Sequence, residues 1–149
     1  MKLPLDIAES RLVTRGALLK TEVSFNTGET KEKYLVVVSI DKNADPLLLV
    51  LTTSKLRWYD ENPDAPVVRL DVGEIPAFTK ETIINCRELL RIPRNDLKRL
   101  YEAETLFYID QLGDDILAHL DKALISARTL TVTEKQAVVP GYIPKVRPR

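Results

Sequence analysis

The sequence predicts an α+β domain, mainly β with a C-terminal helix, whose strands build an antiparallel sheet or a small barrel. Three observations point there. Short runs rich in β-branched and apolar residues follow one another from Ala17 to Thr53, separated by the polar turns "NTGETK" and "DKNADP". Residues 113–130, "GDDILAHLDKALISARTL", carry apolar side chains at helical spacing. A length of 149 residues fits one domain with short extensions and is enough to bury a core.

The elements follow in order. "LDIAESRLVTRG" offers Asp6 as an N-cap with Glu9 three residues on, and a short helix stopping near Gly16 is expected. Ala17 to Phe25, Tyr34 to Ile40 and Leu47 to Thr53 are the first three strands, a meander of hairpins. "LRWYDENPDAP" is a polar, proline-bearing loop, and "VVRLDV" is a fourth strand candidate. "ETIINCRELLRI" is ambiguous: Ile83, Cys86, Leu89 and Leu90 suit a helix, whereas the Thr and Ile content and the flanking breakers suit a strand. "FYIDQL" is extended. The helix after it starts near Asp114 and gathers Ile116, Leu117, Leu120, Ala123, Leu124 and Ala127 on one side. Residues 131–149 hold Pro140, Pro144 and Pro148 and a net charge of +3, a composition expected to run extended.

Composition narrows the chemistry. Lys and Arg total 22 and Asp and Glu total 22, so any nucleic-acid binding must come from local clustering of charge. One cysteine, Cys86, forms no intramolecular disulfide, and with the single His119 it makes no zinc ligand set. No metal and no cofactor is expected. No apolar run approaches the roughly 20 residues that span a bilayer, and "MKLPLDIAES" lacks a signal peptide's apolar stretch, so a cytoplasmic protein is expected.

The most charged strand entrance is "TGETKEKYLVVVS", where Glu29, Lys31, Glu32 and Lys33 precede an apolar run. Such charges either keep a strand end solvated and unpaired, or line a pocket for an anionic substrate. Arg57, Trp58 and Tyr59 form a second cluster. Their rings and guanidinium suit stacking on bases and contact with phosphate, or equally a cap on the sheet or a subunit contact. Cys86 beside Ile84 suits a small core residue, and a lone helical histidine suits a structural role.

Taken together, "RGALLKTEVSFNTGETKEKYLVVVS", "LLLVLTTSK", "TKETIINCRELLRIPRNDL" and "YIDQLGDDILAHLDKAL" resemble, in order and spacing, the MazF/PemK family of type II toxin-antitoxin toxins. The resemblance runs from about Gly16 to Leu130 and favours a strand for residues 82–92. It implies an SH3-like barrel over 16–130, with a helical extension at 1–15 and a basic tail at 131–149. It also implies a homodimer and a growth-inhibiting endoribonuclease that cuts single-stranded RNA without metal. A cognate antitoxin polypeptide would hold it in check, and the toxin itself would bind neither membrane nor double-stranded DNA.

Metal-free cleavage uses the ribose 2′-hydroxyl as nucleophile and needs a base, an acid and donors for the phosphorane charge. Carried onto this chain, the resemblance gives Glu29 as base, Lys33 as the group that neutralises phosphate or protonates the leaving oxygen, and Thr52 as a hydrogen-bonding residue. Lys31, Thr53, Lys55, Arg57, Trp58 and Tyr59 would bind RNA. Lys33 stands where the family has its catalytic arginine, and Tyr34 where a proline follows. Lysine is a point charge without arginine's planar fork, so the change bears directly on activity. The alternative is a catalytically silent dimeric module that binds RNA or a protein partner.

Overall fold

The computed structural model describes residues 5–24 and 30–144. Five helices and six strands follow one another along these residues: α1 (Leu5–Leu12), β1 (Ala17–Ser24), β2 (Thr30–Val37), β3 (Leu47–Thr53), α2 (Arg57–Glu61), β4 (Val67–Leu70), β5 (Thr82–Ile92), α3 (Arg94–Glu102), β6 (Leu106–Gln111), α4 (Asp114–Ser126) and α5 (Val132–Val138). The strands form one sheet in the order β4-β5-β3-β2-β1-β6, every neighbour antiparallel. The fold is therefore α+β, and residues 82–92 form a strand.

Both faces of the sheet are apolar, because side chains alternate in a run of apolar residues. Leu18, Val36, Val50, Val68, Ile84 and Cys86 share one face with Leu120, Ala123 and Leu124 of α4 and Val138 of α5. On the other face Ala17, Leu19, Leu35, Val37 and Leu49 pack with Leu12 of α1 and Leu97 of α3. This arrangement corrects the closed barrel expected from sequence. The edge strands β4 and β6 lie at opposite ends of the order and do not pair with each other. With helices covering each apolar face, the sheet has no need to curl on itself to bury them.

Gly16 makes the tight entry into β1 possible. Its φ is +87°, and a Cβ there would lie 2.6 Å from the Gln111 side chain and 2.9 Å from Leu117. Its N–H donates to the Val37 carbonyl at 2.7 Å, and its carbonyl accepts from Leu112 at 2.9 Å. One residue thus sets the register of three segments.

Two local expectations are corrected, and one further helix appears. The loop expected after β3 contains α2, and the nine-residue α3 follows β5 directly. The segment expected to run extended from residue 131 instead begins with α5. Thr131 caps that helix by accepting from the Glu134 N–H at 3.1 Å, while Glu134 accepts from the Thr131 N–H at 2.9 Å. A capping box outweighs the tail's proline and charge content until Val139. Arg15 then fixes the helix end, donating to the Val138 carbonyl at 2.7 Å and pairing with Asp121 of α4. Among the described residues no helix is long and apolar enough to cross a membrane.

Candidate functional site

A cavity forms where the sheet splits. β1 and β2 stay paired as far as Ser24↔Thr30, and β3 and β5 as far as Thr53↔Ile83. Between them, β2 and β3 pair only from Leu35↔Leu51 to Val37↔Leu49. Beyond Leu35 and Leu51 the two central strands part, and a cavity of about 550 Å³ occupies the fork. One wall is the end of β2 with Glu32, Lys33 and Tyr34. A second is the end of β3 and its turn, Thr52 to Lys55, and the third is the loop into β5, Ala77 to Lys80, with Thr82.

Each wall is held in place by contacts of its own. Phe78 is buried and meets the Tyr34 ring edge-on, with centroids 5.1 Å apart. Its N–H donates to the Ile75 carbonyl at 3.0 Å. The Thr82 hydroxyl donates to the Lys80 carbonyl at 3.0 Å, which fixes the chain on the far side of the loop. Thr52, only 6% exposed, donates its hydroxyl hydrogen to the Tyr34 carbonyl. These contacts tie all three walls to the body of the sheet.

Its electrostatics are cationic. Lys33, Lys55 and Lys80 line it, and none has an ion-pair partner among the described residues. Among the described residues Glu32 is the one carboxylate on the wall, and Lys20 of β1 holds it at 3.1 Å. Hydroxyls supply the remaining polar groups. The Thr53 hydroxyl accepts from the Lys55 N–H at 3.1 Å, which leaves its hydrogen to donate. Thr52 has spent its hydrogen on Tyr34 and offers a ligand only lone pairs. A phosphate oxygen accepts hydrogen bonds, so the donor position suits Thr53 better than Thr52.

Of the residues singled out in the sequence, the fold brings Lys33, Thr52, Thr53 and Lys55 into this cavity. Glu29 lies outside the described residues, and of Lys31 only the backbone is described, in register with Val23. Arg57, Trp58 and Tyr59 stand on α2 and do not line the cavity. The Arg57 side chain is almost wholly exposed and lies 3.5 Å from Glu61. Trp58 carries the Arg87 guanidinium 4.2 Å above its ring and meets Tyr59 edge-on at 5.0 Å. Tyr59 is buried, which pushes its phenol above the ordinary value and leaves no ring face open to a base.

His119 lies on the exposed side of α4, in a groove against β4, and is not part of the fork. Cys86 is a core residue, and burial pushes its thiol up to about 12. It is not a nucleophile at neutral pH. Lys80 and Phe78 were not legible as site residues, because only the pairing of β5 with β3 brings their loop beside Thr53. The faint signal was a lysine between two threonines just before a strand. Neither a protein-family model nor a curated protein matches the chain.

Proposed function

We propose that this chain is a MazF/PemK-like protein that binds single-stranded RNA in the fork cavity and cuts it without a metal ion. The observation that carries this reading is the convergence of Lys33, Lys55 and Lys80 on one hydroxyl-rich cavity in a protein of zero formal charge. Among the described residues these three lysines share the wall with one carboxylate, Glu32, which Lys20 engages, and a bound polyanion relieves the repulsion among like charges held close together. A chain of phosphodiesters fits that description. The link to the toxins rests on the sequence resemblance of the strands and the closing helix, and the open sheet departs from the barrel that resemblance implies.

In the reaction, the 2′-oxygen attacks its own phosphorus, the bond to the 5′-oxygen breaks, and a cyclic phosphate and a free hydroxyl result. Lys33 neutralises the phosphorane or protonates the departing oxygen, and Thr53 donates to a non-bridging oxygen. Glu29 stays the proposed base. The same reading makes the protein a cytoplasmic homodimer whose cavity an antitoxin segment would fill.

One observation favours a second reading, a module that binds RNA or a protein segment without turnover. Lys33 replaces a bidentate arginine by a point charge, and Lys20 already engages Glu32. Incubation of a long single-stranded RNA with EDTA and with wild type, Lys33→Ala or Lys33→Arg protein separates the two. Discrete cuts that disappear in Lys33→Ala and persist in Lys33→Arg support the enzyme. Binding without cuts in any of the three supports an RNA-binding module, and no binding at all rejects RNA as the ligand and leaves only a protein segment as the module's partner.

A further inference from the structure

We infer that Lys80 holds a second phosphate beside the one at Lys33, so that the site grips at least two consecutive nucleotides and not one phosphate group. The inference rests on the RNA reading of the cavity and adds a residue to it. Lys33 comes from β2 and Lys80 from the loop into β5, and β3 lies between those strands. Two strand spacings amount to about 9.5 Å before the fork widens. Lys33 and Lys80 therefore belong to segments that flank β3 on opposite sides, and Lys55 belongs to the turn after β3. A volume of about 550 Å³ falls within the range of ligand sites, roughly 300–1,000 Å³, and exceeds what one phosphate fills.

Lys80 is placed more firmly than an exposed loop lysine usually is. Two residues before it, Phe78 is buried against Tyr34, and two residues after it, buried Thr82 holds the Lys80 carbonyl. Its backbone position is fixed from both sides, while the described residues offer its ammonium no carboxylate. A cation built this way contributes to affinity through release of counterions from the strand it neutralises.

The test measures binding of a short, non-cleavable 2′-O-methyl single-stranded RNA across a salt series, with a nucleoside monophosphate as the single-phosphate comparison. Lys80→Ala is expected to weaken RNA binding and to reduce the slope of log affinity against log salt by about 0.7, one phosphate contact on a single strand. It should bind the monophosphate as wild type does. Lys80→Arg should retain the slope, and Lys122→Ala, a cation on the α4 groove, should leave it unchanged. A wild-type slope in Lys80→Ala would overturn the second-phosphate role while leaving the RNA reading in place. Equal losses for monophosphate and RNA would overturn it in favour of a single-phosphate site. Failure of the wild type to bind RNA would overturn both.

Discussion

The Thr52 hydroxyl donates to the Tyr34 carbonyl at 3.2 Å, bridging β2 and β3 at the point where their pairing stops. A side chain thereby takes over from the sheet ladder and closes the inner end of the fork. The same bond removes Thr52 from the set of hydroxyls able to donate to a phosphate, and it separates two adjacent threonines by role.

That separation is testable by paired substitutions. Thr52→Val should cost about 1 kcal/mol of stability, the usual net value of a lost hydrogen bond, with little change in RNA affinity. Thr53→Val should lower affinity by roughly five- to tenfold, at a smaller cost in stability than Thr52→Val, because the Lys55 N–H it releases is exposed to water. Chemical denaturation and RNA titration on both variants check the assignment, and a larger affinity loss in Thr52→Val would reverse it.

Arg15 ties together three parts of the chain that are distant in sequence. Its guanidinium donates to the Val38 and Val138 carbonyls and pairs with Asp121, and its side chain is only 14% exposed. Arg15→Ala should cost about 2–3 kcal/mol, since charged hydrogen bonds are lost and carbonyls are left unpaired, lowering the melting temperature by roughly 5–10 °C. Arg15→Lys should restore only part of it, because an ammonium does not reproduce the planar fork. Faster amide exchange across residues 132–139 in the alanine variant would show that α5 is the element released.

Glu134 gives the fold a specific sensitivity to acid. The Thr131 N–H, and less strongly Arg91 at 2.7 Å, hold its carboxyl below the ordinary glutamate range against the opposing effect of burial. Its folded value is lower than its unfolded one. Its contribution to stability is therefore present at neutral pH and is lost as pH falls through the ordinary range towards the lowered value. Glu134→Gln should shrink the drop in unfolding midpoint between neutral and strongly acidic buffer, and an unchanged drop would show that the capping box carries no such linkage.

Much of the site lay in the sequence as residue types without neighbours. Lys33, Thr52, Thr53 and Lys55 stand at ends of recognisable strands, and strand ends are where a sheet presents charge. Their meeting follows from β2 and β3 being adjacent, as any hairpin predicts. Lys80 and Phe78 required the order β5-β3-β2, which no local pattern encodes. The setting of Trp58 and Tyr59 also needed the tertiary structure: Tyr59 turns into the protein interior, whereas Trp58 stays exposed with Arg87 over its ring.

By itself the sequence determined where the first three strands and the long helix form, because periodicity in apolar residues and turn chemistry are local, whereas the pattern at residues 82–92 suited helix and strand alike. It also determined that the sheet has two apolar faces, visible in "ALL", "LVVV" and "LLLVL". Only tertiary structure decided how those faces are covered. Here helices cover both apolar faces, and the edge strands β4 and β6 stay apart. Tertiary structure also decided that β2 and β3 part beyond Leu35 and Leu51, since the fork depends on long-range pairing with β1 and β5. The cationic cavity exists because those two outer pairings continue where the central one ends.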